Sequence, residues 1–461
     1  MTSLEVRATV SVAFLYMVRM FGLFMVIPVL PLAAGAYAGA TVALTGLALG
    51  IYGLSQAVLQ IPFGLWSDRV GRKPVLYVGL VLFIAGSGLA AAADSIGMLI
   101  AARFLQGCGA IAGTLLALMS DLTRVNVRTG AMAIVGLSIG ASFGLSLIAG
   151  PWLNTLIGLP GIFLLNAALG VVGIVVVALF VPTPSRRRLN LDNAVIPSDI
   201  LRLLGRRDVL TLCAAILLAH HLLMAGFLAF PQLLVRVGYE VDMHHWIYLG
   251  LLGGTFVLMG PVMRLGGNPR YTKAVLIAVL LLAAASLGAL PSAVLAAAVL
   301  IAMAGFFMAF NLLEVVLPAQ LTRVTPAGRR GTAAGLFSAA QFSGVFTGGA
   351  LGGLILSVWG DAVLLYVNAA CAAALILLVA RCLTVRDVTG RVLEIPDAGT
   401  IRAEAMVNGL LSVDGVDEVV VVESEGVAYL KIDNTVFVEE KLERHLAQSG
   451  TAGFGRSESS P

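Results

Sequence analysis

The strongest constraint on this chain is a succession of apolar blocks, most of them about twenty residues or longer, separated by short polar clusters. Blocks of that length cross the roughly 30 Å hydrocarbon layer of a bilayer as helices, whereas a helix buried in a soluble core needs about 10 to 14 apolar residues. With 59% apolar and 12% charged residues and a mean hydropathy of +0.98, the chain also lacks the charge to solvate a water-facing surface of its size. These features exclude a soluble enzyme and leave a polytopic membrane protein. Cutting at polar clusters and Gly/Pro punctuation predicts twelve helices, from the first at 8–33 to the last at 361–383. The first block carries Arg19 and offers no small-residue cleavage site, so it reads as a span and not as a cleavable leader. Cys108, Cys213, Cys371 and Cys382 stand singly, with no CxxC pair and no histidine at ligand spacing, and read as small hydrophobes.

Twelve spans put both termini on one side. The loops on that side hold Arg69, Arg72, Lys73, Arg124, Arg128, Arg186 to Arg188, Arg202, Arg206, Arg207, Arg264, Arg270, Lys273, Arg323, Arg329 and Arg330, while the opposite loops hold only Arg236. Translocating Lys and Arg is unfavourable, so this asymmetry places both termini in the cytoplasm.

The net charge of +4 conceals two opposite parts. Residues 1–383 hold 22 basic and 11 acidic groups, whereas residues 384–461 hold 7 and 14. The tail therefore reads as a soluble domain at 388–448, followed by a disordered end at 449–461. Its pattern is strand (391–395), helix (400–411), strand (418–423), strand (427–432) and helix (437–447), with Val438, Leu442 and Leu446 as one apolar stripe. This βαββα order predicts an α+β ferredoxin-like sandwich. The run 410–432 resembles small heavy-metal-associated domains, but where those carry a CxxC this loop reads Pro396-Asp397-Ala398-Gly399. Without a thiolate, metal carriage is not expected, and docking on the core, dimerisation or ligand binding are the open roles.

An internal repeat organises the membrane part. Leu122-Thr123-Arg124-Val125 and Leu321-Thr322-Arg323-Val324 are offset by 199 residues, and each precedes a glycine ladder, Gly136, Gly140 and Gly144 or Gly344, Gly348 and Gly352. Two parallel six-helix halves follow, at 1–183 and 208–383, joined by a cytoplasmic linker at 184–207. Spacing of four puts each ladder on one helical face, which suits close helix packing within a half or sliding between halves. Parallel halves about a membrane normal are a transporter plan with substrate near the midplane.

The end of the second helix reads Gly64-Leu65-Trp66-Ser67-Asp68-Arg69-Val70-Gly71-Arg72-Lys73, and the fourth carries Arg103-Phe104-Leu105-Gln106-Gly107. These resemble two motifs of the major facilitator superfamily, and Gly150-Pro151 partly matches a third, with Trp152-Leu153-Asn154 departing from its glycines. The tail domain, and Phe310-Asn311-Leu312-Leu313-Glu314 on the tenth helix, narrow the resemblance to YajR-type, drug/proton antiporter-like members. The resemblance implies the major facilitator fold, a bacterial inner membrane location with both termini and the tail domain cytoplasmic, and export. It also implies that Arg72 pairs with Asp121. Asp68 can accept backbone N–H groups at the start of the eleventh helix, near Gly331 and Thr332, an anion at a helix N-terminus contributing about 0.3 to 1 kcal/mol. Gly64, Asp68, Arg69, Gly71, Arg72, Lys73 and Asp121 would then form a conformational latch; the alternative is a solvated basic loop that only sets topology.

Of the acids in residues 1–383, Glu314 alone lies well inside a span. A charge at a helix centre costs about 2.5 to 3.5 kcal/mol on the mildest scale, so it should face a partner or a watery cavity. Desolvation favours the neutral form of a carboxyl group, which makes reversible protonation feasible. Glu314 is therefore the leading candidate for proton coupling, against a fixed ion pair joining helices. His220 titrates in the useful range and is the second candidate, against a satisfied structural histidine. Arg19 binds anionic substrate or holds Glu314 ionised, Arg103 bridges helices, and Gln56, Gln60, Asn311 and Gln341 are candidates to line the cavity.

The leading reading is a proton-coupled secondary transporter of a small molecule, an exporter working by alternating access across the lipid bilayer. No phosphate loop, cofactor or nucleic-acid partner is expected, and the proton gradient supplies the energy. The competing readings are an uncoupled facilitator and a transporter-like sensor with a regulatory tail.

Overall fold

The computed structural model describes residues 1–182, 197–326, 329–385, 387–394, 403–422 and 427–448. Ten helices among them are long and apolar enough to cross a membrane. Two of these, Val125–Leu179 and Arg330–Cys382, have 55 and 53 residues. At 1.5 Å per residue each would run about 80 Å, far beyond one bilayer. Each is broken once by a glycine in the left-handed region, Gly158 (φ 68°) and Gly360 (φ 83°), where a side chain would be strained. Each long helix is thus two spans, and the total is the expected twelve.

In chain order span 1 is Ser3–Phe24, span 2 Val42–Val70, span 3 Arg72–Ala91 and span 4 Ile96–Leu122. Spans 5 and 6 are 125–157 and 159–179. Span 7 is Arg207–Arg236, span 8 His244–Gly267, span 9 Pro269–Ala289 and span 10 Ala296–Val324, and spans 11 and 12 are 330–359 and 361–382. Span 1 starts earlier than the hydropathy suggests, because Thr2 and Glu5 close a capping box around its first turn. It also ends earlier, with Pro28 in a turn before the short helix Leu30–Ala33. The linker contains the helix Pro197–Leu204, whose Asp199 pairs with Arg329 at 3.3 Å; residues 183–196 lie outside the described part.

Spans 1 to 6 pack as one half and spans 7 to 12 as the other. The halves meet along spans 2 and 11 and along spans 5 and 8. Far from the termini the first of these seams is tight: a Cβ on Gly46 would lie 2.4 Å from the Gly349 carbonyl oxygen and 2.6 Å from Gly353 Cα. The two glycine ladders differ. Those of span 11 do bring backbones together, since Cβ atoms on Gly344 and Gly348 would lie within 2.3 Å of carbonyl oxygens of span 7. On span 5 nothing stands within 4 Å of where Gly136 or Gly140 would carry a Cβ, and a Cβ on Gly144 would meet only the Phe256 ring of span 8 at 3.8 Å, so that ladder brings no backbones together.

The tail domain has the expected βαββα order. Strands β1 (Val388–Glu394), β2 (Val416–Val422) and β3 (Val427–Asp433) form an antiparallel sheet in the order β1-β3-β2, with helices Ala403–Leu411 and Glu439–Gln448. Leu410, Val416, Leu430, Ile432 and Leu442 form its core. Val438 leaves the expected stripe: it precedes the helix and is 44% exposed, while Phe437 packs on the core in its place. The loop 396–399 and the end 449–461 lie outside the described residues.

The tail domain sits against the second half, on the face of the termini. Lys431 Nζ donates to the Thr325 carbonyl at 3.2 Å, just beyond span 10, and the Arg330 guanidinium opening span 11 lies against Gly390 of β1. Burial holds the Lys431 amine below its ordinary value.

Candidate functional site

Three polar clusters punctuate the apolar bundle. The first is on the face of the termini, where Gly71 (φ 104°) ends span 2 and lets span 3 begin at Arg72. Arg72 Nε donates to Asp121 Oδ2 at 2.9 Å, and its Nη1 donates to Ser67 Oγ at 2.7 Å and to Asp68. The expected Arg72–Asp121 pair is therefore present. Asp68 takes a different partner from the one expected: its hydrogen bond is with Arg72, while Arg330 and Gly331 of span 11 stand across a cavity of about 270 Å³. Gln60 and Gly64 line the same cavity from span 2, with Leu321, Thr325 and Ser338 from the second half. Arg69 is exposed beside this network, and Lys73 is partly buried at the start of span 3.

The second cluster lies inside the first half, around Tyr52. Arg19 Nη2 of span 1 and Gln56 Nε2 of span 2 donate to the Tyr52 hydroxyl at 3.2 and 3.3 Å. The Arg103 guanidinium of span 4 lies 5.0 Å from the Tyr52 ring centroid, the separation of a cation–π contact. Arg103 also donates to Gln106 Oε1 and, at 3.4 Å, to the Ala48 carbonyl, so it bridges spans 4 and 2 as expected. Gln106 in turn donates to Ser87 Oγ at 2.8 Å. Tyr52 escaped the sequence reading, although it stands one helical turn from Gln56 on the same face, and Gln106 entered it only as a member of the motif.

The third cluster lies in the second half. Glu314 Oε1 on span 10 is 3.5 Å from His220 Nδ1 on span 7, and Gln341 on span 11 lies 2.8 Å from the other ring nitrogen, Nε2. His220 Nδ1 also approaches the Ile216 carbonyl at 3.2 Å. The structure thus brings Glu314, His220 and Gln341 together and sets a histidine rather than Arg19 beside Glu314, whose Oε1 is buried without a hydrogen bond. Asn311, one turn from Glu314, is buried. His221 points away to Thr347 at 3.1 Å, and His244 is 1% exposed at the head of span 8. Between the second and third clusters runs an aromatic row. Phe24 and Phe143 are 4.9 Å apart, Phe143 and Phe310 5.4 Å, and Phe310 and His220 5.4 Å, crossing from span 1 to span 7.

Twelve spans in two packed halves, with a polar network at one end of span 2, are features many chains could share, and similarity decides among them. A family model described as Major Facilitator Superfamily matches residues 12–346. The chain belongs to that superfamily. It is 38% identical over 453 residues to Inner membrane transport protein YajR of Escherichia coli (strain K12), across 97% of this chain and 99% of that protein. A stretch of 114 residues, 24% of this chain and 28% of the relative, is 33% identical to Tetracycline resistance protein, class D, of Salmonella ordonez. The fold is shared with a bacterial homologue of the human lysosomal transporter Spinster at TM-score 0.65 and 14% identity, over 83% of this chain and 98% of that one. As a member of the superfamily, the chain is a multi-pass membrane transporter and not an enzyme.

Proposed function

We propose that this major facilitator protein is a proton-coupled antiporter that exports a small molecule across a bacterial inner membrane by alternating access. The observation that carries the reading is the Glu314–His220–Gln341 cluster. Glu314 is the only carboxylate among the described residues that lies far from a helix end, and it sits 3.5 Å from an imidazole whose ordinary titration range is near neutral. A proton shared between these groups changes the charge of the second half, so the two openings of the transporter respond differently to pH. Arg19, Arg103, Gln56, Gln60 and Asn311 line the substrate path, and Arg72 with Asp68 and Asp121 forms the switch at the loop between spans 2 and 3. Similarity to a tetracycline resistance protein supports efflux as the direction. The basic loops support a cytoplasmic location for the face of the termini and, with it, for the tail domain.

In proteoliposomes with an imposed pH gradient, the wild-type protein should drive solute movement and Glu314→Gln should abolish that coupling while leaving solute exchange. Unchanged pH-driven transport in Glu314→Gln removes Glu314 from the role. Exchange that never responds to pH in either protein favours an uncoupled facilitator.

A further inference from the structure

Two cations lie deep in the first half without an anion. Arg19 is 3% exposed and Arg103 is 0% exposed, and among the described residues neither makes an ion pair. Their hydrogen-bond partners are neutral: the Tyr52 hydroxyl, Gln106 Oε1 and the Ala48 carbonyl. Three of their nitrogens, Arg19 Nε and Nη1 and Arg103 Nη2, are buried with no partner in the protein. A guanidinium is never deprotonated under ordinary conditions, so it cannot shed the penalty of burial as a lysine does. Buried charges are normally paired, and one left without its counter-charge is destabilising by several kcal/mol. The other acids of the half do not compensate them: Glu5 binds Arg124, Asp68 and Asp121 bind Arg72, and Asp94 is exposed in the loop between spans 3 and 4.

The position of the pair also matters. Gln60 lines the cavity that reaches in from the face of the termini, and Gln56 and Tyr52 follow at one-turn intervals on the same helix. The guanidinium pair around Tyr52 therefore stands about 12 Å beyond the cavity wall along span 2. The aromatic row of Phe24, Phe143 and Phe310 starts on span 1, the span that carries Arg19. A site with two cations, orphaned donors and the Tyr52 ring is chemically matched to an apolar body bearing an oxyanion.

We propose that the transported molecule is an organic anion, a carboxylate on an apolar or aromatic body, whose charged end is held by Arg19 and Arg103 beside Tyr52. This rests on the transporter reading and specifies its substrate class. The buried cations are then left uncompensated when the site is free, and the substrate supplies the missing charge.

The test uses the full chain in nanodiscs with three matched probes: 1-naphthoate, 1-naphthamide and 1-naphthylmethylammonium. Naphthoate should bind and raise the unfolding temperature, with the neutral and cationic probes roughly tenfold or more weaker, as charge-assisted hydrogen bonds imply. Arg19→Gln should lose that preference, yet its free form should unfold no earlier than the wild type, because an uncompensated buried charge has been removed. Arg19→Lys, which keeps the charge without the planar fork, should retain part of the preference. Equal binding of the three probes, no carboxylate-specific stabilisation, or a destabilised Arg19→Gln that still prefers naphthoate overturns the proposal. Proteoliposomes separate this from the coupling reading. pH-driven movement of the amide or ammonium probe, unaffected by Arg19→Gln, keeps the coupling and removes the anion. Arg19-dependent naphthoate exchange that ignores pH keeps the anion and removes the coupling.

Discussion

Replacing Gly46 by alanine adds one methyl group where spans 2 and 11 touch on the side away from the termini. Its Cβ would stand 2.4 Å from the Gly349 carbonyl oxygen, 2.6 Å from Gly353 Cα and 3.0 Å from Gly353 nitrogen. Real carbon–backbone contacts begin near 3.4 Å, so the two backbones must part by about 1 Å, and neither is a flexible side chain that can turn aside. Forcing an extra carbon into such packing costs about 1 to 3 kcal/mol. In a state where the halves have separated on this side the methyl group meets nothing, so the cost falls on the closed seam alone. The equilibrium should then move towards opening on that side by roughly 5- to 150-fold. Spin labels at Val42 and Val358, both exposed near these helix ends, in a background lacking the four native cysteines, report the separation by pulsed electron resonance. Gly97→Ala is the control, because nothing stands within 4 Å of its Cβ position. A folded Gly46→Ala protein whose distance distribution matches those of wild type and Gly97→Ala would refute the argument that this contact closes the seam.

Arg72→Ala should leave Asp68 and Asp121 facing each other without their shared cation and lower stability by about 1 to 3 kcal/mol, less than a fully buried pair because all three side chains keep some exposure; thermal unfolding should show partial recovery when Asp121→Asn is added. Lys431→Glu should release the tail domain from the end of span 10, because the amine that donates to the Thr325 carbonyl becomes an acceptor; faster amide exchange in β1 and at Thr325 is the readout, and unchanged exchange would show that the contact is idle. Within the tail domain, the hydrogen bond from Lys441 holds the Asp414 carboxyl below its ordinary value of 3.8. A lowered carboxylate pKa stabilises the folded form above the ordinary value and stops doing so as pH falls through the lowered one. Amide exchange around Asp414 should therefore rise below about pH 4, and Lys441→Met should flatten that rise.

Much of the architecture was legible in the residues because it follows from local rules. Block length against bilayer thickness predicts spans whatever their neighbours are, and both fused helices still resolve into two because Gly158 and Gly360 take a conformation open to glycine. The tail's strand and helix order came through for the same reason, since alternation and helical spacing act over a few residues. Val438 was misplaced because periodicity does not say where a short helix begins, and Phe437 offers a larger apolar surface one position earlier. The Arg72–Asp121 pair was foreseen from the motif. Its neighbour Asp68 was expected on span 11, but the halves are apart at that end and the carboxylate turns to the nearest cation.

By itself the sequence determined how many times the chain crosses the membrane, where its α+β tail lies and which rare charges fall within spans, because transfer energies and local periods attach to single residues and short segments. Only the tertiary structure decided that Glu314 meets His220 and not Arg19, that Tyr52 stands between two guanidiniums without an anion, and that one glycine ladder brings backbones together while the other does not. Those outcomes depend on how helices distant in sequence rotate and close on one another, and on which end of the cavity is shut. Hydropathy is nearly blind to both, since a helix rotated about its axis or tilted by a few degrees keeps the same pattern of residues.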